Sequence, residues 1–113
     1  MYLLRRVFKV KPGTSRKAAE IITRMGKAYE EAGQRSPTRV YISGSGLPGP
    51  ANMVYMDWTE ETIKSQYREG NKIPDAAEAL YPLLREVQEE TFIEFYELFE
   101  LPKSDQAPKG ARR

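Results

Sequence analysis

The apolar residues of this chain recur with a period of two, then a helical period, then a period of two in two successive runs, then a helical period, then a period of two. That order constrains the fold more than any single residue does, because each strand face and each helix stripe must be buried against something. Tyr2 to Val10 is rich in aliphatic and aromatic residues and is predicted to be the first strand, stopped by Lys11-Pro12-Gly13. Thr14 or Ser15 is placed to cap a helix in which Ala18, Ala19, Ile22, Met25, Gly26 and Tyr29 recur at helical spacing, ending near Gly33. Pro37 to Ser43 and Asn52 to Trp58 are predicted to form a hairpin around the glycine- and proline-rich turn 44–50. Thr59 is positioned to cap a helix over about 60–69, which Gly70-Asn71-Lys72-Ile73-Pro74 interrupts. A second helical segment carries Ala76, Ala77, Leu80, Leu83, Leu84 and Val87, with a bend expected at Pro82, and Thr91 to Leu101 is the last strand.

A β-α-β-β-α-β order closes economically in one way: an α+β, ferredoxin-like domain whose four-stranded antiparallel sheet carries both helices on one face. Residues 1–101 fill that domain, and 102–113 are expected to be a disordered basic tail. The face turned away from the helices is then unusual. It collects Arg39, Tyr41, Tyr55, Asp57, Phe92, Glu94, Tyr96 and Leu98, too aromatic to leave in water and too charged for a dry core. Two copies packed sheet to sheet would bury it, with Arg39 paired to Asp57 or Glu94, so the expected partner is the chain itself, as a homodimer or a higher assembly.

What the chain lacks narrows its chemistry. It has no cysteine and no histidine, which removes thiolate nucleophiles, zinc ribbons, the commonest general base and the usual proximal haem ligand. No metal site and no cofactor are expected. Glu86, Glu89 and Glu90 read as a solvated helix face, and Gly44-Ser45-Gly46 joins two strands with no lysine following, so it is not a phosphate loop. Four basic residues of the tail, Lys103, Lys109, Arg112 and Arg113, stand against Asp105 alone, so the rest of the chain is slightly acidic despite a net charge of +2. No nucleic-acid partner is expected from such a body. The short apolar start and the absence of a long apolar run point away from a signal peptide or a membrane partner and toward the cytoplasm.

The order of elements, the size, the strand Met53-Val54-Tyr55-Met56-Asp57-Trp58 running straight toward a helix, and the break at Gly70 to Pro74 resemble the dimeric α+β barrel superfamily over about residues 1–101. Within it the chain is most similar to the NIPSNAP-like and antibiotic-biosynthesis-monooxygenase-like branches. This resemblance implies a homodimer, and it implies fold more than function. Haem-degrading members carry an Asn, a Trp and a His; Asn52 and Trp58 are here and the His is not, so haem chemistry is not expected. Cofactor-independent monooxygenases of the superfamily act on electron-rich phenols with aromatic, Asn and Arg residues, and the resemblance puts Asn52, Trp58, Tyr67 and Arg85 forward for those parts. For Trp58 and Tyr67 the plain reading is packing.

The set Arg39, Tyr41, Tyr55, Asp57, Glu94 and Tyr96 admits two readings, a ligand cavity or a dimer face, and tyrosine with arginine suits the second better. The leading expectation is a small homodimeric protein that binds an apolar or aromatic small molecule under its helices. The alternatives are a monooxygenase acting on a phenol-like compound and a structural or regulatory interaction module.

Overall fold

A computed structural model describes residues 1–63 and 72–102. The strands are β1 (Tyr2–Val10), β2 (Arg39–Ser43), β3 (Met53–Glu60) and β4 (Gln88–Glu97), and the helices are α1 (Ser15–Glu31), α2 (Asp75–Glu78) and α3 (Tyr81–Val87). The sheet runs β2-β3-β1-β4 with every neighbouring pair antiparallel, as expected for a ferredoxin-like α+β domain. Alternation along the strands sorts their side chains into two faces. Leu4, Phe8 and Val10 of β1 and Val54, Met56 and Trp58 of β3 join Ala18, Ile21, Ile22 and Met25 of α1 and Leu84 and Val87 of α3 in one buried cluster. Both helical layers therefore cover the same face.

Helix α1 ends as its sequence suggests, and the ending matters for the site. Gly33 adopts φ +73°, its N–H bonds to the Glu30 carbonyl, and the Gln34 N–H reaches back to the Tyr29 carbonyl at 2.9 Å. This Schellman pair turns the chain back toward the sheet. Next, the Ser36 hydroxyl donates to the Thr59 carbonyl, and Glu30 accepts from the Thr38 N–H at 2.9 Å and from its hydroxyl at 2.6 Å. Those bonds hold the Glu30 carboxyl below the usual carboxylate range, the Thr38 hydroxyl contributing most. A depressed folded-state pKa stabilises the fold above the unfolded value and loses that contribution as pH falls through the folded one. Glu30→Gln should thus cost about 1 kcal/mol near pH 7, after allowance for solvent screening. The gap from wild type should close on acidification in urea unfolding at a series of pH values, and a gap that stays constant with pH would reject this account.

Gly26 lets α1 approach the sheet here. A Cβ on Gly26 would collide with the Thr38 hydroxyl and stand 3.0 Å from the Met56 sulfur. Gly26→Ala gains about 1 kcal/mol of helix propensity but must displace a side chain that anchors Glu30. Overpacking costs about 1–3 kcal/mol and the lost hydrogen bond about 1 more. We expect a net loss of about 2 kcal/mol by chemical denaturation; unchanged or raised stability would show that the contact relaxes freely.

The structure departs from the sequence expectations in several places. Thr14 precedes α1, but its hydroxyl donates to the Lys11 carbonyl at 2.6 Å and does not cap the helix. Thr59 caps no helix either: it and Glu60 continue β3, because their backbones pair with Leu3 and Tyr2. The remainder of the helix expected over 60–69, with Tyr67, lies outside the described residues apart from an irregular 61–63, as does the tail from 103 onward. Pro82 does not bend a long helix; it lies in the first turn of α3, where no N–H is needed, and the segment splits at 79–80. Strand β4 begins at Gln88 and ends at Glu97, earlier than expected at both ends, since β1 offers pairing partners only over that span. Glu89 and Glu90 are accordingly strand residues, not part of a helix face.

Candidate functional site

Between the sheet and the helices lies a cavity of about 1030 Å³. Its walls are mainly apolar, with Leu4 and Phe8 of β1, Met25 of α1, Met56 and Trp58 of β3 and Leu84 of α3 among them. Lys72, Ile73 and Phe95 mark its exposed rim. Alternation along β1 would put Tyr2, Leu4, Phe8 and Val10 inward, and the one charged residue in that inward set is Arg6. Arg6 stands opposite Met56 on one side and Ile93 on the other. Arg6 is partly buried on a central strand, and among the described residues its side chain has no hydrogen bond or ion pair.

A second guanidinium converges on the cavity. The turn after Gly33 and the Ser36–Thr59 bond deliver Arg35 beneath the end of α1, with its guanidinium carbon 3.9 Å from the centroid of the Tyr29 ring and 4.1 Å from that of Trp58. Such a cation–π sandwich is worth about 1–2 kcal/mol in a partly desolvated setting. Among the described residues its only hydrogen-bonded acceptor is the Met56 sulfur at 3.9 Å, a soft and weak one. Burial pushes the Arg35 pKa down from the ordinary guanidinium value, although an arginine stays charged throughout the working pH range. The Tyr29 and Tyr81 hydroxyls lie 3.1 Å apart on the same wall. Burial and that hydrogen bond push Tyr29 up to about 12, so it remains a phenol. One of the two hydroxyl protons closes the mutual bond, which leaves the other free to point elsewhere. Gln34 donates through Nε2 to the Lys72 carbonyl at 2.7 Å and keeps a buried Oε1 without a donor.

The residues put forward from the sequence divide. Trp58 and Arg85 line the cavity. Asn52 does not: it holds φ +59° at the turn before β3, its carbonyl accepts from the Val10 N–H, and it is about 20 Å along the strand from Trp58. Tyr67 falls outside the described residues. Arg6, Arg35, Tyr29 and Tyr81 were not singled out as site residues, yet an arginine inside an apolar alternation was a signal for Arg6. Arg35 had none beyond following a helix-ending glycine.

Arg39, Tyr41, Tyr55, Asp57, Glu94 and Tyr96 face away from the cavity, together on the open side of the sheet. Register places Arg39 opposite Asp57, Asp57 opposite Arg5, and Arg5 opposite Glu94, so one row crosses all four strands with alternating charge. Arg5 bonds to Glu94 at 2.8 Å and lies 4.7 Å over the Tyr55 ring, while Arg39 approaches Asp57 at 3.5 Å without hydrogen-bond alignment. Arg39 thus meets Asp57 within the chain, and Arg5 stands between Asp57 and Glu94. Tyr96 donates to Glu94 at 2.8 Å, which with Arg5 lowers the Glu94 pKa. The next row, Tyr41, Tyr55, Val7 and Phe92, is apolar apart from its two tyrosine hydroxyls, of which that of Tyr55 meets Ser43 at 3.0 Å. Tyr41 is 47% exposed, Phe92 44% and Tyr96 46%.

No protein-family model and no curated protein matches this sequence. Solved structures do match its shape. A NIPSNAP domain protein from Burkholderia xenovorans superposes with a TM-score of 0.64 over 96% of this chain and 100% of its own, at 18% identity. A NIPSNAP family protein from Agrobacterium tumefaciens superposes with a TM-score of 0.63 over 95% of this chain and 96% of its own, at 15% identity. The chain shares the ferredoxin-like fold of these two structures. An antibiotic biosynthesis monooxygenase shares that fold with a TM-score of 0.62 over 88% of this chain and 100% of its own, at 8% identity. Identities this low carry the backbone arrangement only. No described helix is long and apolar enough to cross a membrane.

Proposed function

We propose that this protein is a cytoplasmic homodimer that binds an apolar or aromatic small molecule in the cavity between its sheet and its helices. The observation that carries the reading is the cavity itself: about 1030 Å³, mostly apolar, with three arginines and two tyrosines among the described residues that line it. Pockets for small molecules have this composition and are about this large or smaller.

The open face supports the homodimer. A two-fold axis lying between two facing sheets and along their strands reverses the row Arg39, Asp57, Arg5, Glu94 against its copy. Arg39 then meets the partner copy's glutamate, and Asp57 meets its arginine from β1. An axis across the strands would instead set like charges together, so the charge pattern favours the first arrangement. It would also bury the half-exposed Tyr41, Phe92 and Tyr96.

A second reading, a cofactor-independent monooxygenase acting on a phenol-like compound, is favoured by the Trp58, Arg35 and Tyr29 stack inside the cavity and by the fold shared with an antibiotic biosynthesis monooxygenase. Trp58 and Arg85 remain its candidate residues, and Asn52 stands apart from them. Native mass spectrometry of untagged protein purified gently from its source tests the main reading. A dimer with a reproducible added mass is the expected result. A monomer at micromolar concentration would remove the dimer, and a dimer that neither carries nor takes up an apolar compound would remove the ligand. Oxygen uptake with a phenol-like compound, lost in Trp58→Phe, would move the assignment to the enzyme.

A further inference from the structure

We infer that the ligand of this cavity is an amphipathic carboxylate, its apolar body against Trp58, Phe8 and Met56 and its anionic head between Arg6 and Arg35. This deepens the small-molecule reading above and rests on it.

Charge balance is the first ground. Among the described residues, Arg6, Arg35, Arg85 and Lys72 line the cavity against a single carboxylate, Glu60, and no ion pair joins Glu60 to any of them. On the open face, by contrast, Arg5 and Arg39 each stand beside an acid. The cavity therefore differs in charge balance from the opposite face of the same sheet.

Donor supply is the second ground. A guanidinium offers five N–H donors in a fixed fork that suits a carboxylate. Arg6 spends none of its donors on the described residues, and Arg35 spends one on a thioether. The Tyr29–Tyr81 pair adds one more hydroxyl proton.

Fixed placement is the third ground. Two cations held near each other in apolar surroundings repel and are costly to desolvate. The register of a central strand sets where Arg6 leaves the sheet, and the Schellman turn and two flanking rings hold Arg35. The Arg6 charge acts unfavourably on that of Arg35, and an anion between them would relieve that at once. The cavity also exceeds what one small anion needs, so the remaining apolar wall calls for an apolar body attached to the head.

Trp58 is the chain's only tryptophan and lines the cavity, so its emission reports occupancy. The full chain is titrated with octanoate and with 1-octanol, which share a body and differ in the head. Octanoate should bind at least about tenfold more tightly than octanol to the wild type, as a charge-assisted pair requires. In Arg6→Met that advantage should fall below about threefold while octanol binding is retained. The unliganded variant should be at least as stable as wild type, since an unpaired cation has left an apolar wall; Arg6→Gln is measured alongside. Equal binding of the two compounds by the wild type, or an octanoate advantage that survives both substitutions, would overturn the inference and leave the apolar cavity standing. Binding of neither compound would overturn both.

Discussion

Arg39→Glu alone and Glu94→Arg alone should each weaken the proposed homodimer about a hundredfold, and mixing the two variants should restore a dimer containing one copy of each. In the row Arg39, Asp57, Arg5, Glu94, reversed against itself, the outer residues of one copy face the outer residues of the other. Arg39→Glu then sets two acidic pairs at the ends, and Glu94→Arg sets two basic pairs. When the variants are combined, all four positions face an opposite charge. Like charges brought together at an interface act as a specificity element as well as a loss of attraction. Sedimentation of each variant and of the mixture reads the outcome directly. Variants that remain dimeric, or a mixture that stays monomeric, would show that this row does not lie at a two-fold interface. The mixture also guards against a trivial explanation. Each substitution breaks an ion pair within its own chain, with Asp57 or with Arg5, and damage of that kind would not be repaired by adding another damaged chain.

The largest stability effect should come from Trp58→Ala, a loss of about 4 kcal/mol. Trp58 is 5% exposed, belongs to the main core cluster, stands opposite Leu4, and stacks on Arg35. Truncation removes its packing, at about 3 kcal/mol, and one side of the guanidinium sandwich, at about 1. Against a typical total of about 5–15 kcal/mol, this is a large fraction. Urea unfolding followed by circular dichroism suits the test, because the fluorophore is gone. Trp58→Phe keeps a ring under Arg35 and should cost less than half as much. A loss below about 1 kcal/mol in the alanine variant would mean that the ring packs only loosely against the cavity.

Much of this architecture could be read from periodicity. The stripe Ala18, Ile22, Met25 and Tyr29 is the buried face of α1, and Val40 with Ile42 and Val54 with Met56 turn inward on their strands as alternation requires. The Gly33 ending was legible because few residues other than glycine take a positive φ cheaply. Boundaries were less legible. Where β3 and β4 stop is set by how far β1 extends beside them, which no local pattern records. Tyr41, Tyr55 and Tyr96 were correctly grouped on one face, but not Arg5, the residue that separates Asp57 from Glu94, because its position depends on register across three strands.

The sequence by itself determined the order of elements, the face each strand turns to the helices, and the absence of thiol and imidazole chemistry, because these follow from side-chain identity and local period. Only the tertiary structure decided which charges meet. Arg6 and Arg35 are distant in sequence and belong to a strand and a loop; register, a left-handed glycine and the Ser36–Thr59 bond bring them to one cavity. The alternating row on the opposite face arises in the same way, since pairing among four strands is a non-local property that composition and period do not contain.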